Sequence, residues 1–167
     1  ALAIVDRPSA SLQNYDPDSK WPAAGSPMKA TWIDLEGTDS PKDDLRIRGH
    51  KAGAARFARG EGIHRVGKSF FICCTDGGPS RRGQIFRLDP SGDAAKPDTL
   101  ELFLQPEESD LLTNGDNLCP APWGGIVICE GYGLTETAAA SCVNSPDAIV
   151  FGTVGRPLTG CEIQLAD

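Results

Sequence analysis

What most constrains this chain is a series of six short apolar runs: Met28 to Ile33, Gly62 to Val66, Ser69 to Thr75, Gln84 to Leu88, Thr99 to Leu104 and Gly125 to Cys129. Each has the length and residue types of a strand and is too short for an ordinary helix. Turn chemistry separates them, as in Val66-Gly67-Lys68, Asp76-Gly77-Gly78 and Asp89-Pro90-Ser91-Gly92-Asp93. Nineteen glycines and thirteen prolines are spread along the 167 residues, so such breaks are not confined to one linker. The fold class expected is mainly β, an antiparallel meander. Ile63 to Val66 should pair with Ser69 to Thr75 about Gly67-Lys68, and Gln84 to Leu88 with Thr99 to Leu104 across the Asp-Pro-Ser-Gly loop. The one short helical stretch expected, Gly53 to Phe57, is stopped by Gly60 and Gly62. Residues 1–27, broken at Asp16-Pro17, Trp21-Pro22 and Gly25-Ser26, read as an irregular arm with a small strand at Leu2 to Val5.

Charge and cysteine usage narrow the classes of function. The net charge of -7 gives a surface that repels polyanions, and no run of Lys or Arg is long enough to follow a phosphate backbone, so nucleic acid is not expected as a partner. No stretch approaches the roughly 18 apolar residues of a membrane span, and Ala1 to Val5 is too short and lacks the basic flank of a signal peptide. Six cysteines (Cys73, Cys74, Cys119, Cys129, Cys142, Cys161) contain no CxxC pair, which argues against a thiolate zinc site. Cys73 and Cys74, adjacent in an apolar run, should point to opposite faces of one strand.

Two constellations carry possible chemistry. In Ala52 to Gly62 (AGAARFARGEG), Arg59 and Glu61 are two apart with a glycine after each. On an extended backbone their side chains would share a face, and a guanidinium fork beside a carboxylate suits a phosphate oxyanion next to a cation. On spacing alone, a surface Arg–Glu pair at a turn is the commoner outcome. Further on, Asn114-Gly115-Asp116-Asn117 offers the oxygen ligands that calcium takes, although the same string is strong turn chemistry and lacks EF-hand spacing.

The strings RFARGEGIHRVGKSFFICCTDGG, GQIFRLDP and NGDNLCPAPWGGIVICE, in that order, resemble the later blades of the PhoX-type alkaline phosphatases. The resemblance covers about Met28 to Glu130. It implies a β-propeller with a central cluster of iron and calcium ions that hydrolyses phosphate monoesters. A four-stranded blade takes roughly 40 to 50 residues, so the span would hold about two blades of an incomplete propeller. By the same resemblance Arg59 contacts substrate phosphate, Glu61 ligates the metal cluster, and Asp116 is a calcium ligand supported by Asn117. Thr75 and Asp76, in the TDGG turn, read as structural. The family's cysteine ligand to iron and several of its carboxylates have no match in residues 1–27, so the chain is expected to be inactive alone, as a fragment or fusion. PhoX-type enzymes are exported or periplasmic. A noncatalytic calcium-binding or interaction module is the alternative.

From Glu130 the sequence changes character. Glu130-Gly-Tyr-Gly-Leu-Thr-Glu-Thr137 and Gly152-Thr-Val-Gly155-Arg-Pro-Leu-Thr-Gly160-Cys-Glu162 resemble the adenylate-forming acyl-CoA synthetases. That resemblance implies adenine stacking by Tyr132, an ATP-phosphate contact by Thr135 and magnesium binding by Glu136. The family's glycine-rich phosphate loop and catalytic lysine have no match, so ATP activation is not expected; a remnant of an ATP-dependent acyl-CoA synthetase is a second alternative reading of the chain. Three regions follow: an arm (1–27), a phosphatase-like region (28–130) and a loosely attached C-terminal segment (131–167), with a hairpin expected from Ala148 to Val154 and Cys161 to Leu165 across Gly155 to Gly160.

Overall fold

The computed structural model describes residues 1–107, 113–121, 125–129, 131–134, 139–143, 156–157, 159 and 162. Its elements in chain order are β1 (Leu2–Ile4), β2 (Pro27–Trp32), α1 (Leu45–Lys51), β3 (Gly60–Val66), β4 (Ser69–Cys74), β5 (Gln84–Asp89), β6 (Asp98–Leu104), β7 (Asn117–Pro120), β8 (Ile126–Cys129), β9 (Gly131–Leu134), β10 (Ala139–Val143) and β11 (Arg156–Pro157). The protein is thus mainly β among the described residues, and none of its described helices is long and apolar enough to cross a membrane.

Six strands form one antiparallel sheet in the order β1-β2-β6-β5-β4-β3. The two hairpins expected between residues 63 and 104 are present. Val66 pairs with Ser69 across the two-residue turn, where Gly67 takes a φ of 61°, a left-handed conformation that glycine adopts without steric cost. β5 pairs with β6 from Asp89↔Thr99 to Ile85↔Leu104, with one irregularity between Ile85 and Phe86. The sheet is a single six-stranded unit in which β2 pairs with β6 and β1 closes the far edge.

Alternation along the strands divides the apolar residues between two faces. On one face Phe86, Leu88, Leu100, Leu102, Met28, Ala30 and Cys74 pack with Ile4, Ala10 and Leu12. The segment 1–27 therefore contributes directly to this core: Leu12 is completely buried and Ile4 is 2% exposed. On the other face Phe71, Cys73 and Ile85 pack under Leu118 of β7. Both adjacent thiols are fully buried, one on each face.

The helix lies at Leu45–Lys51, and Gly53 to Phe57 is not helical. An Arg48–Asp44 pair at 3.0 Å spans its first turn, and Arg48, His50 and Lys51 lie in its last turn, where they complement the helix dipole. Gly53, at a φ of 108°, ends it. The residues expected to be helical instead run along the N-terminal segment: Arg56 N–H donates to the Ala10 carbonyl (2.8 Å) and Leu12 N–H to the Arg56 carbonyl (2.8 Å). Tertiary pairing overrides local propensity there.

Beyond Pro106, β7 and β8 form a separate antiparallel hairpin, and β9, β10 and β11 a three-stranded sheet. Arg156 and Pro157, placed by the sequence reading in the connection of a C-terminal hairpin, instead pair with Val143 and Cys142 of β10. Residues 148–154 and 163–165 of that expected hairpin lie outside the described residues.

Candidate functional site

One end of the six-stranded sheet gathers the start of β3, the end of β4, the approach to β5 and the start of β7. Arg59 immediately precedes β3 with a φ of 51°. Left-handed backbone is uncommon for a side chain of this size and is found where the surrounding structure fixes it. Here Thr75 N–H donates to the Arg59 carbonyl at 3.0 Å. The Arg59 guanidinium lies 3.6 Å from Glu61, and the two side chains are 65% and 43% exposed. The pair forms by a route the sequence did not indicate, because Arg59 is not extended. The β3–β4 register also shifts between Gly60 and Ile63, a bulge that places Glu61 and Gly62 off the regular ladder.

Asp116, 55 positions beyond Glu61, reaches this corner through two contacts. Gly62 N–H donates to the Asp116 carbonyl at 2.9 Å, and the Thr75 hydroxyl donates to Asp116 Oδ1 at 3.0 Å. Gly62 permits the first of these: a Cβ there would lie 2.4 Å from Asn117 Oδ1 and 2.9 Å from both Asn117 Cα and the Asp116 carbonyl oxygen. Asn114 fastens the same turn by donating from Nδ2 to the carbonyls of Thr75 (2.8 Å) and Arg81 (2.9 Å). Below it, the Cys73 thiol donates to the Gly115 carbonyl at 2.9 Å. Burial pushes that thiol up to about 11, and the charges of Asp116 and Glu61 add to the effect, so both carboxylates act on one sulfur.

A second cluster adjoins the first. Tyr15 donates to Asp76 Oδ2 at 3.0 Å, Arg81 lies 3.3 Å from the same oxygen, and the Arg81 guanidinium stacks 4.1 Å from the centre of the Tyr15 ring. Burial, followed by the Asp76 contact and charge, raises the Tyr15 hydroxyl above its ordinary value, while the charges of Arg81 and Arg59 oppose this. Sequence reasoning read Asp76 as part of a structural turn and passed over Tyr15 and Arg81. The Asp76-to-Arg81 spacing within one glycine-rich turn was a usable signal. Nothing local marks Tyr15, which meets Asp76 only through folding.

Of the remaining predicted site residues, Asn117 is exposed at the start of β7, with its side-chain oxygen accepting from Leu118 N–H at 2.8 Å. Tyr132 lies in β9, its backbone in register with Cys142, whereas Thr135 and Glu136 lie outside the described residues. A cavity of about 1010 Å³ lies elsewhere, between α1 and Ile33–Leu35, and none of these site residues lines it.

Glu61, Asp116 and Asn117 supply hard oxygen donors of the kind calcium takes, but calcium takes about six to eight of them. Glu61 is engaged by Arg59 and Asn117 by its own neighbour. No group of three or more His, Cys, Asp or Glu side chains suited to a metal ion occurs among the described residues. The described residues alone therefore do not fit a calcium-and-iron cluster.

Comparison with known proteins gives two results of different extent. A profile of the family described as alkaline phosphatase PhoX matches residues 12–162, and so extends well past Glu130. Two curated relatives match over 43 residues: a long-chain-fatty-acid–CoA ligase of Mycobacterium bovis at 40% identity and a chloroplastic long-chain-fatty-acid–acyl-carrier-protein ligase of Arabidopsis thaliana at 37%. Each alignment covers 26% of this chain, but only 7% and 6% of the respective relatives. No solved structure matches the chain.

Proposed function

Because this chain belongs to the PhoX alkaline phosphatase family, a family of metal-dependent phosphatases, we propose that the corner holding Arg59, Glu61, Thr75 and Asp116 is its phosphate-binding site and serves hydrolysis of phosphate monoesters. The observation that carries the reading is the pair of contacts from Gly62 and Thr75 to Asp116, which joins the two sequence constellations at one sheet end. Arg59 presents a planar fork able to bind two phosphate oxygens and to stabilise the charge that develops on them. Glu61, 3.6 Å away, orients that fork. Thr75 holds Asp116 by its hydroxyl and Arg59 by its backbone, so one residue couples the two halves.

Calcium and iron, implied by the resemblance, would require donors beyond the described residues, with Glu61, Asp116 and Asn117 offering only part of a ligand set. The chain by itself is expected to give background turnover of p-nitrophenyl phosphate even with both ions supplied. Phosphate binding is the more direct test. Inorganic phosphate should perturb the Arg59 side-chain NMR signals, and Arg59→Ala should weaken binding by about tenfold, the scale of one charge-assisted contact. Binding of equal strength in Arg59→Ala would overturn the assignment.

The ligase similarity supports a second, local reading for the segment after about Glu130. By this reading the segment, which the PhoX profile also covers as far as residue 162, is a loosely attached appendage resembling part of an adenylate-forming enzyme. ATP binding that disappears in Tyr132→Ala would show that the segment retains nucleotide recognition; absence of binding fits an inert appendage.

A further inference from the structure

Arg81 sits in the connection between β4 and β5 with a φ of 53°. That conformation is fixed by its own N–H donating to the Gly78 carbonyl at 3.1 Å and by Asn114 Nδ2 donating to its carbonyl at 2.9 Å. Asn114 belongs to the same turn that delivers Asp116, so Arg81 is built into the frame of the site. Its side chain is equally constrained. One guanidinium nitrogen lies 3.3 Å from Asp76 Oδ2, the group stacks 4.1 Å from the Tyr15 ring centre, and Tyr15 bonds the same Asp76 oxygen at 3.0 Å. Asp76 Oδ1 is also occupied, accepting from Gly77 N–H at 2.8 Å.

The Arg81 side chain remains 62% exposed while Asp76 is only 18% exposed, so the carboxylate is taken up by bracing and the guanidinium stays open to solvent. An arginine carries five N–H donors in a rigid fork, and a single oxygen contact leaves part of that fork facing solvent. Arg81 and Arg59 are tied to one frame: Asn114 Nδ2 donates to the carbonyls of both Thr75 and Arg81, and Thr75 N–H donates to the Arg59 carbonyl. Glu61, Asp76 and Asp116 stand at this corner too, so an anion would be held by directed donors and not by net positive charge.

We infer that Arg81, braced by Asp76 and Tyr15, is a second anion-binding group of the site, and that the site favours phosphate monoesters bearing a further negative charge within reach of the phosphate. This rests on the reading of Arg59 as the phosphate-binding residue. Arg59 holds the phosphate common to every substrate. Arg81 reads the second anion, and Tyr15 and Asp76 act as positioning residues that keep its fork turned outward.

The test uses the full chain and two probes sharing one phosphate, methyl phosphate and 2-phosphoglycolate, titrated by NMR. The wild type should bind phosphoglycolate about five-fold more tightly, the scale of one exposed charge pair. Arg81→Ala should abolish that preference by weakening phosphoglycolate binding more than methyl phosphate binding; Arg81→Lys, which keeps charge but loses the fork and the stacking, should keep part of it. Arg81→Gln retains the side-chain stem and should reproduce the alanine result, guarding against a folding defect. A preference that survives in Arg81→Gln, or a wild type with no preference, would overturn the role of Arg81. Arg59→Ala should instead weaken both probes together; if it leaves methyl phosphate binding intact, the reading of Arg59 fails, whatever the Arg81 variants do.

Discussion

Gly62 lacks a side chain because its surroundings leave no room for one. An added Cβ would stand 2.4 Å from Asn117 Oδ1 and 2.9 Å from two backbone atoms, whereas an added Cβ at Gly60 would meet nothing within 4 Å. Overpacking against backbone costs roughly 1 to 3 kcal/mol, and a change in open space typically less than about 0.5. Gly62→Ala should therefore lower the urea midpoint clearly while Gly60→Ala barely moves it. At the same scale, burial pushes the Cys73 and Cys74 thiols to about 11 and about 12. The protonated form is favoured in the folded state, so this contribution to stability is complete below the unfolded thiol value of about 8.5 and is lost as pH rises toward the folded values. Iodoacetamide at pH 8 should leave both unlabelled in the native protein and label them in urea, as read by peptide mass spectrometry. The placement of this pair on opposite faces was legible from the strand period, whereas the burial of both depends on each face being covered by distant segments. The Arg59–Glu61 pairing was legible from spacing, but its left-handed geometry was not. Tyr15 and Arg81 were invisible because their partners are set by packing between distant segments.

Strands were the most legible elements, since each of the six apolar runs corresponds to one of them within a residue or two. The helix was not: Leu45–Lys51 has too few turns to show a period, and its support comes from Arg48 bonding the carbonyls of Glu36 and Gly37 at 2.7 and 2.9 Å. The integration of β1 was equally hidden, because a three-residue strand carries little pattern. Its energetic weight should be large. Ile4 is 2% exposed in the main core, and Ile4→Ala should cost roughly 2 to 4 kcal/mol in chemical denaturation. The link between β2 and the β5–β6 loop runs through a single carboxylate, Asp98. Ser91 N–H and Trp32 Nε1 both donate to Asp98 at 2.8 Å and hold its carboxyl below the ordinary range. A lowered carboxyl contributes stability that is present above about pH 4 and is lost as pH falls through the folded value. Trp32→Phe removes one donor and should flatten the loss of stability on acidification, followed by thermal midpoints between pH 5 and 2.

For the molecule as a whole, the antiparallel β character followed from turn chemistry and strand length, while the assembly of six strands into one sheet depended on long-range pairings such as Met28↔Leu100. Such partners are separated by dozens of residues and leave no local mark. The proposed loose attachment of the C-terminal segment belongs to this scale. With β9, β10 and β11 hydrogen-bonded only to one another among the described strands, limited proteolysis should cut between Gly131 and Pro146 well before it cuts between Ser69 and Leu88. Equal resistance of both stretches would mean one cooperative core. The Gly62 crossing carries a consequence for observation as well as for stability. The candidate site is drawn from two chain segments fastened at their backbones, so the Gly62 amide proton is a built-in reporter of whether they are fastened. Its exchange with deuterium should slow when phosphate binds and quicken in Thr75→Val, giving a signal of site assembly that needs neither turnover nor bound metal.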